Sequence, residues 1–371
     1  MPTTATRRYT GRALSPVFVS ELRLSDFRSH ADLRLGGLPC GPVVITGPNG
    51  AGKTNLLEAI SLLAPGPGLR RARTEDITRW GAAAPWAVWG RVEPGGRGMG
   101  TGLDTGTGRR RRSGEGSLAC LWLTPAMDRV LSGPPAGRRA FLDRLVLALN
   151  PGHGALVTRY AGAMAERGRV LRQPSTRARA SWLSGLEAQM AASGVAIAAA
   201  RAEAAAHLSA AALEGDFPLP NLAWEDQTLP EGHAALEAED ALARALHAAR
   251  ALDAATGRCT VGPHRGDLLV TGRQSGTPAA HSSTGEQKAL LLSIVLAQAA
   301  RVAAESGGPP VLLLDEVAAH LDPQRRAALF SLLADLGGQV WLTGTEGALF
   351  APLADCAEKL DLFGGTLTKI L

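Results

Sequence analysis

Pro42-Val43-Val44-Ile45-Thr46 runs straight into Gly47-Pro48-Asn49-Gly50-Ala51-Gly52-Lys53-Thr54, and Asn55-Leu56-Leu57-Glu58-Ala59-Ile60 follows at once. The first stretch reads as a β-strand. The second is a glycine-spaced turn closing on Lys-Thr, and the third opens a helix that places Leu56, Leu57, Ile60, Leu63 and Ala64 on one face before Pro65-Gly66-Pro67-Gly68 ends it. Strand, glycine loop and helix in this order form a phosphate-binding loop. Glycines let successive backbone N–H groups turn inward around a β-phosphate, Lys53 neutralises the β/γ oxygens, and the Thr54 hydroxyl is a ligand for Mg²⁺. The nucleotide-binding set is therefore Gly47, Pro48, Asn49, Gly50, Ala51, Gly52, Lys53, Thr54 and Asn55. The sequence predicts a nucleoside triphosphate ligand, with Mg²⁺ at its phosphates.

Composition narrows the class. At 371 residues and 45% hydrophobic content, the chain can fill one large α/β domain with an insertion, or two domains. Cys40, Cys120, Cys259 and Cys356 lie far apart without metal-ligand spacing, which argues against a disulfide framework or a zinc ribbon and for a reducing cytosol. No run approaches eighteen apolar residues, and Met1 to Gly11 carries no apolar signal core, so the expectation is a cytoplasmic protein with no membrane partner. A net charge of +5 and a pI near 9.4 lean towards a polyanion without deciding for one.

Along the chain, Val17 to Leu35 reads as a hairpin around Asp26-Phe27-Arg28-Ser29-His30 that feeds the loop strand, and Trp86 to Val92 as another strand. Glu93 to Ser117, with the run Arg109-Arg110-Arg111-Arg112, reads as a solvated hairpin or loop. Alanine, leucine and arginine then dominate Pro134–Leu149, Ala155–Leu171, Ser181–Leu213 and Ala234–Ala255, which predicts a helical insertion broken by a short extended piece from Asn221 to Trp224. The expected division is 1–133 and 256–371 as the two parts of one nucleotide lobe, with 134–255 as a helical lobe or short arm.

Three motifs follow the insertion. Val311-Leu312-Leu313-Leu314 is a buried strand ending in Asp315-Glu316, so Asp315 can hold Mg²⁺ and Glu316 can polarise an attacking water at the carboxyl edge of a parallel sheet. Asp322-Pro323 then caps a helix that runs to Gly337-Gly338. Upstream, Ser282-Ser283-Thr284-Gly285-Glu286-Gln287-Lys288 opens a helix: a hydroxyl, a glycine and a helix N-terminus together make an anion site. Ser283 precedes Asp315 by 32 residues and follows Lys53 by 230 (283 − 53), too long for a transporter ATPase and too short for a long coiled coil.

These residues resemble the RecF family of bacterial DNA replication and repair ATPases, whose heads are of the ABC/SMC type. The resemblance rests on Leu24-Ser25-Asp26-Phe27-Arg28, Gly47 to Ile60, Arg138-Arg139-Ala140-Phe141-Leu142-Asp143 and Val261-Gly262-Pro263-His264-Arg265-Gly266-Asp267-Leu268, with the signature and Walker B strand in order. It implies a trans-acting signature at Ser283, Thr284, Gly285, Glu286 and Gln287, which would meet nucleotide held by a second copy, and a D-loop at Asp322. It further implies an ATP-dependent homodimer with slow, DNA-stimulated hydrolysis at gapped or junction DNA, working with RecR and RecO to load recombinase and linked to the SOS response.

The chain departs from the pattern in places. Ala126 follows Pro125 where the family has an acidic or polar residue, leaving the glutamine-loop residue unassigned, and Thr343-Gly344-Thr345 stands where transporters carry a switch histidine. Candidate DNA contacts are Arg70, Arg71, Arg73 and Arg109, Arg110, Arg111, Arg112; a charge run more commonly just faces water, and His264 reads as a satisfied structural histidine. The rival readings are a transporter ATPase, opposed by the 230-residue spacing, and a nucleotide-binding adaptor without hydrolysis, opposed by Glu316.

Overall fold

Alternating burial sets up the first layer. The computed structural model describes residues 16–174, 176–211, 217–228, 234–363 and 366–370. In β1 (Phe18–Phe27), Val19, Leu22, Leu24 and Phe27 are all buried. The odd step from Val19 to Leu22 is reconciled by a register shift between Val19 and Glu21, which returns both side chains to the core. β1 pairs with β2 (His30–Gly36) across a turn at Arg28-Ser29. The chain continues into β3 (Pro42–Thr46) and α1 (Lys53–Leu63), then β4 (Ala87–Glu93), β5 (Arg97–Asp104), β6 (Arg109–Ser113) and β7 (Cys120–Leu123).

Five helices and one strand form the middle: α2 (Pro135–Leu149), α3 (His153–Leu171), α4 (Arg177–Ala210), β8 (Pro220–Glu225), α5 (Ala235–Ala248) and α6 (Arg250–Thr256). The last third holds β9 (Asp267–Gly272), α7 (Thr284–Ser306), β10 (Val311–Leu314), α8 (Pro323–Leu336), β11 (Val340–Gly344), β12 (Glu358–Phe363) and β13 (Thr366–Ile370).

Two sheets sandwich α1. One is antiparallel, in the order β2-β1-β4-β5-β6; the other runs β13-β12-β3-β11-β10-β7, parallel except for β13. Strands covered on both faces need continuous apolar sequence rather than alternation, and β10, β11 and β7 are buried at every residue. Helix α1 contacts β1, β4 and β5 on one side and β11 on the other, which is why nine of its eleven residues are buried. The fold is an ABC-type α/β head with a helical lobe inserted.

Several expectations are refined here. The β1–β2 hairpin does not extend the loop strand's sheet but belongs to the antiparallel one. Of the two readings of Glu93 to Ser117, the hairpin is the one present: β5 and β6 pair antiparallel, with Gly102 opposite Arg111. The expected helix over Ala234–Ala255 divides at Ala249 into α5 and α6. Within the inserted region, α2 packs on β7 and α7, and its Phe141, Leu142, Leu145 and Val146 join the main core, while β8 pairs antiparallel with β9. Helix α7 is long and apolar enough to cross a membrane by composition, but most of its apolar window is buried as a core helix.

A second core lies among α3, α4 and α5, around Tyr160, Val170, Leu183, Met190 and Leu246. At its edge the buried Arg167 guanidinium donates to Glu187 Oε1 at 2.9 Å, Asp253 Oδ2 at 2.5 Å and the Leu246 carbonyl at 2.6 Å. Arg250 also holds Glu187. Removing the central cation leaves Asp253 buried without its ion pair, so Arg167→Leu is expected to lower stability by about 3–5 kcal/mol, read from urea unfolding followed by circular dichroism. A loss under about 1 kcal/mol would show that the network is not what pins these helices together.

Candidate active site

The loop between β3 and α1 is shaped by glycines at positive φ, two of them in close contact with their surroundings. Gly47 has φ +148°, and a Cβ there would lie 2.2 Å from the Leu362 carbonyl oxygen on β12; Gly52, at φ +107°, would press one against Ser29 Oγ at 2.8 Å. The loop is therefore clamped between β12 and the β1–β2 turn. Lys53 is buried, and its Nζ donates to the carbonyls of Gly47 at 2.7 Å and Pro48 at 3.1 Å, so the ammonium is held over the mouth of its own loop. Asn55 Nδ2 donates to Ser29 Oγ at 2.8 Å.

Opposite the loop, β10 delivers its acids at the carboxyl edge of the parallel sheet. Thr54 Oγ1 donates to Asp315 at 2.9 Å (Oδ2) and 3.1 Å (Oδ1), so two residues 261 positions apart meet directly. Thr343, buried at the end of β11, donates to Asp315 Oδ1 at 2.7 Å and accepts the Glu316 backbone N–H at 2.9 Å. Glu316 is half-buried and takes φ +55°, a left-handed conformation that a non-glycine residue adopts only where its surroundings impose it. The hydroxyl and carboxylate oxygens of Thr54 and Asp315 suit Mg²⁺, which takes one or two protein oxygens and completes its octahedron with phosphate and water. Among the described residues no three carboxylate, histidine or cysteine groups gather into a closed metal cage.

The signature residues cap α7. Ser283 Oγ accepts the Glu286 N–H at 3.3 Å, and the Glu286 carboxylate accepts the Ser283 N–H at 3.1 Å, a reciprocal capping box. This accounts for an acid at that position: Glu286 faces its own helix N-terminus. Gln287 Nε2 donates to the Ser282 carbonyl, and Thr284 and Gly285 form the first turn of α7. Lys288 pairs with Asp128 at 2.9 Å, tying α7 to the segment after β7 where the glutamine-loop residue was unassigned. Asp322 caps α8 by accepting the Arg325 N–H at 2.9 Å.

The arginine candidates separate. Glu58, buried on α1, accepts from Arg28 at 2.9 and 2.7 Å and from Arg70 at 2.7 Å, so Arg70 is partly committed to the core while Arg71 and Arg73 remain exposed. In β6 the period of two divides the run by hydrogen bonding: Arg110, half-buried, and Arg112, still exposed along its length, turn their guanidiniums to carbonyls at and just beyond the end of α1, whereas Arg109 and Arg111 point to solvent. The solvated reading of the run holds for Arg109 and Arg111 and is refined for Arg110 and Arg112, whose guanidiniums the strand's alternation brings to backbone carbonyls. His264 is structural: Nε2 donates to the Cys259 carbonyl at 2.9 Å and Nδ1 accepts from Tyr160 Oη at 2.8 Å, while burial lowers its pKa. The sequence reading missed the Arg28–Glu58 pair, although Asp26-Phe27-Arg28 and Glu58 had both been singled out.

Fold and site together define a P-loop ATPase with a head of the ABC/SMC type. A family model described as an AAA domain matches residues 21–80, and a second, described as "AAA domain, putative AbiEii toxin, Type IV TA system", matches residues 204–343. The "DNA replication and repair protein RecF" of Mesorhizobium japonicum is 47% identical over 94% of this chain and 97% of its own length. That of Rhizobium rhizogenes is 45% identical over 95% and 99%. Among solved structures, one titled "Structure of the recombination mediator protein RecF-ATP in RecFOR pathway" superposes with a TM-score of 0.83 at 21% identity, covering 98% of this chain and all of that one. The chain belongs to the RecF family.

Thr343 makes the acid edge depend on one hydroxyl. Thr343→Val is expected to leave the Glu316 N–H unpaired at a cost of about 1–3 kcal/mol and to lower ATP turnover, while Thr343→Ser retains both. Equal turnover in the valine and serine variants would show that the hydroxyl does not position the acids.

Proposed function

We propose that this protein is an ATP-dependent DNA-binding ATPase of replication and recombinational repair in the cytoplasm, acting as an ATP-induced homodimer at gapped or junction DNA. The observation that carries the reading is the hydrogen-bonded line Thr54–Asp315–Thr343–Glu316 behind a glycine loop, in a chain alike to RecF over nearly its whole length. Lys53 lies where β- and γ-phosphate oxygens would come to rest, and the backbone N–H groups at the start of α1 complete the anion cradle. Mg²⁺, when bound between Thr54 and Asp315, would supply charge neutralisation on the phosphates. Glu316, held by its strained backbone next to Asp315, is assigned the task of orienting and deprotonating the attacking water.

Ser283, Thr284 and Gly285 at the α7 N-terminus are assigned to the γ-phosphate held by a second copy, with Asp322 at the shared interface; this is why dimerisation is expected to require ATP. RecR and RecO as partners, recombinase loading and the SOS link follow from the family. The four free cysteines accord with a reducing compartment.

Glu316→Gln is expected to bind ATP and retain it as a dimer with turnover lowered at least tenfold, whereas Lys53→Ala should lose nucleotide binding; filter binding and phosphate release on gapped DNA read both. Parental turnover in Glu316→Gln would move water activation to another group. Ser283→Arg should bind ATP as a monomer and fail to dimerise by light scattering, and a normal ATP-dependent dimer from this variant would remove the trans assignment.

A further inference from the structure

Helix α1 carries Lys53 and Thr54 at its N-terminus and has no basic residue in its own last turn. The carbonyls left over at a helix C-terminus need donors, and here they come from a different sheet edge. Arg110 donates to the Gly66 carbonyl at 2.7 Å and to the Leu62 carbonyl, and its Nε donates to Thr101 Oγ1 at 2.8 Å. Arg112 donates to the Ala64 carbonyl at 2.7 Å and to the Leu63 carbonyl. Four carbonyls at and just beyond the end of the helix, those of Leu62, Leu63, Ala64 and Gly66, are thereby held by two side chains of β6. Burial pushes the Arg110 pKa down to about 10, which leaves it charged at neutral pH.

The same strand presents the opposite chemistry on its other face. Arg109 and Arg111 are exposed, and the neighbouring outward positions are small: Gly102 lies opposite Arg111, Ala87 lies opposite Gly102, and Gly100 lies opposite Ser113. No bulky side chain from these partners stands between the two guanidiniums and an approaching backbone. The acid opposite Arg109, Asp104, already accepts the Gly106 and Thr107 N–H groups of its own turn. Further across the sheet Arg23, stacked 4.8 Å from the Trp89 ring, is ion-paired with Glu21, so among the described residues the unpaired cations of this face are those of β6.

We propose that β6 is a coupling strand: Arg109 and Arg111 take phosphates of duplex DNA on its outer face, and Arg110 and Arg112 pass the resulting displacement to the C-terminal end of α1. Arg110 and Arg112 are positioning residues, acting on ATP only through the helix. An eleven-residue helix is a rigid rod of about 16 Å, so a shift imposed at Leu62 and Leu63 is delivered at Lys53 and Thr54. The inference rests on the DNA-binding reading above and adds the route by which DNA would reach the nucleotide.

The test measures duplex binding against salt and ATP turnover with and without gapped DNA. Arg109→Ser with Arg111→Ser should reduce the slope of log K against log salt by about 1.8, two phosphate contacts at about 0.9 each. Arg110→Lys with Arg112→Lys keeps both charges but not the forked geometry; it should bind DNA with the parental slope yet show at least a fivefold smaller stimulation of turnover by DNA. Thermal unfolding of the lysine pair confirms that a folded protein is being read. An unchanged slope in the serine pair overturns the outer half of the proposal, and parental stimulation in the lysine pair overturns the inner half. A parental protein whose turnover DNA leaves unchanged would sink the DNA-stimulated reading together with the coupling.

Discussion

Everything at this site depends on one helix being held at fixed position and orientation. Helix α1 lies between two sheets, with the loop at its start closed by β12 and the β1–β2 turn, its middle pinned by Glu58 to Arg28 and Arg70, and its end capped by Arg110 and Arg112. A phosphate cradle made of backbone N–H groups works only if those groups already converge before the anion arrives. The helix provides that convergence, and the antiparallel sheet explains why it cannot slide. The one acid buried on α1 is paired: Glu58 meets two guanidiniums.

The acid edge obeys a second constraint, that of strand order. β11 lies between β3 and β10, so its last residues sit midway between the phosphate loop and the acids. Thr343 occupies that midpoint and serves both Asp315 and the Glu316 backbone. The position that holds a histidine in transporters thus carries a hydroxyl whose partners lie within its own subunit.

Much of this was legible before the structure. The loop, the buried strand ending in Asp315-Glu316 and the capped helix at Asp322 each combine a local conformational demand with a residue type, and such signals survive in one dimension. The capping box could also have been read from Ser283 and Glu286, whose three-residue spacing is its signature. What the sequence could not reveal is pairing across hundreds of residues: that β8 joins β9, that Arg28 reaches Glu58, or that β1 and β3 part into different sheets. The Arg109–Arg112 run was legible only in part, for a different reason. A block of like charge suggests solvent, but a strand sends alternate side chains to opposite faces, and helix carbonyls can solvate a guanidinium as water does.

The placement of β3 carries a consequence for how the chain is made. Its two neighbours are β11 and β12, and Ile45 therefore pairs with Thr343 on one side and Leu360 on the other. While a ribosome is still translating the helical region, the strand that ends in the phosphate loop has neither partner, and its apolar edges are bare. The Leu362 carbonyl that closes over Gly47 emerges later still. The phosphate loop is thus walled by a strand made about 300 residues after it, so that its final shape is a product of the whole chain rather than of the segment that carries its sequence.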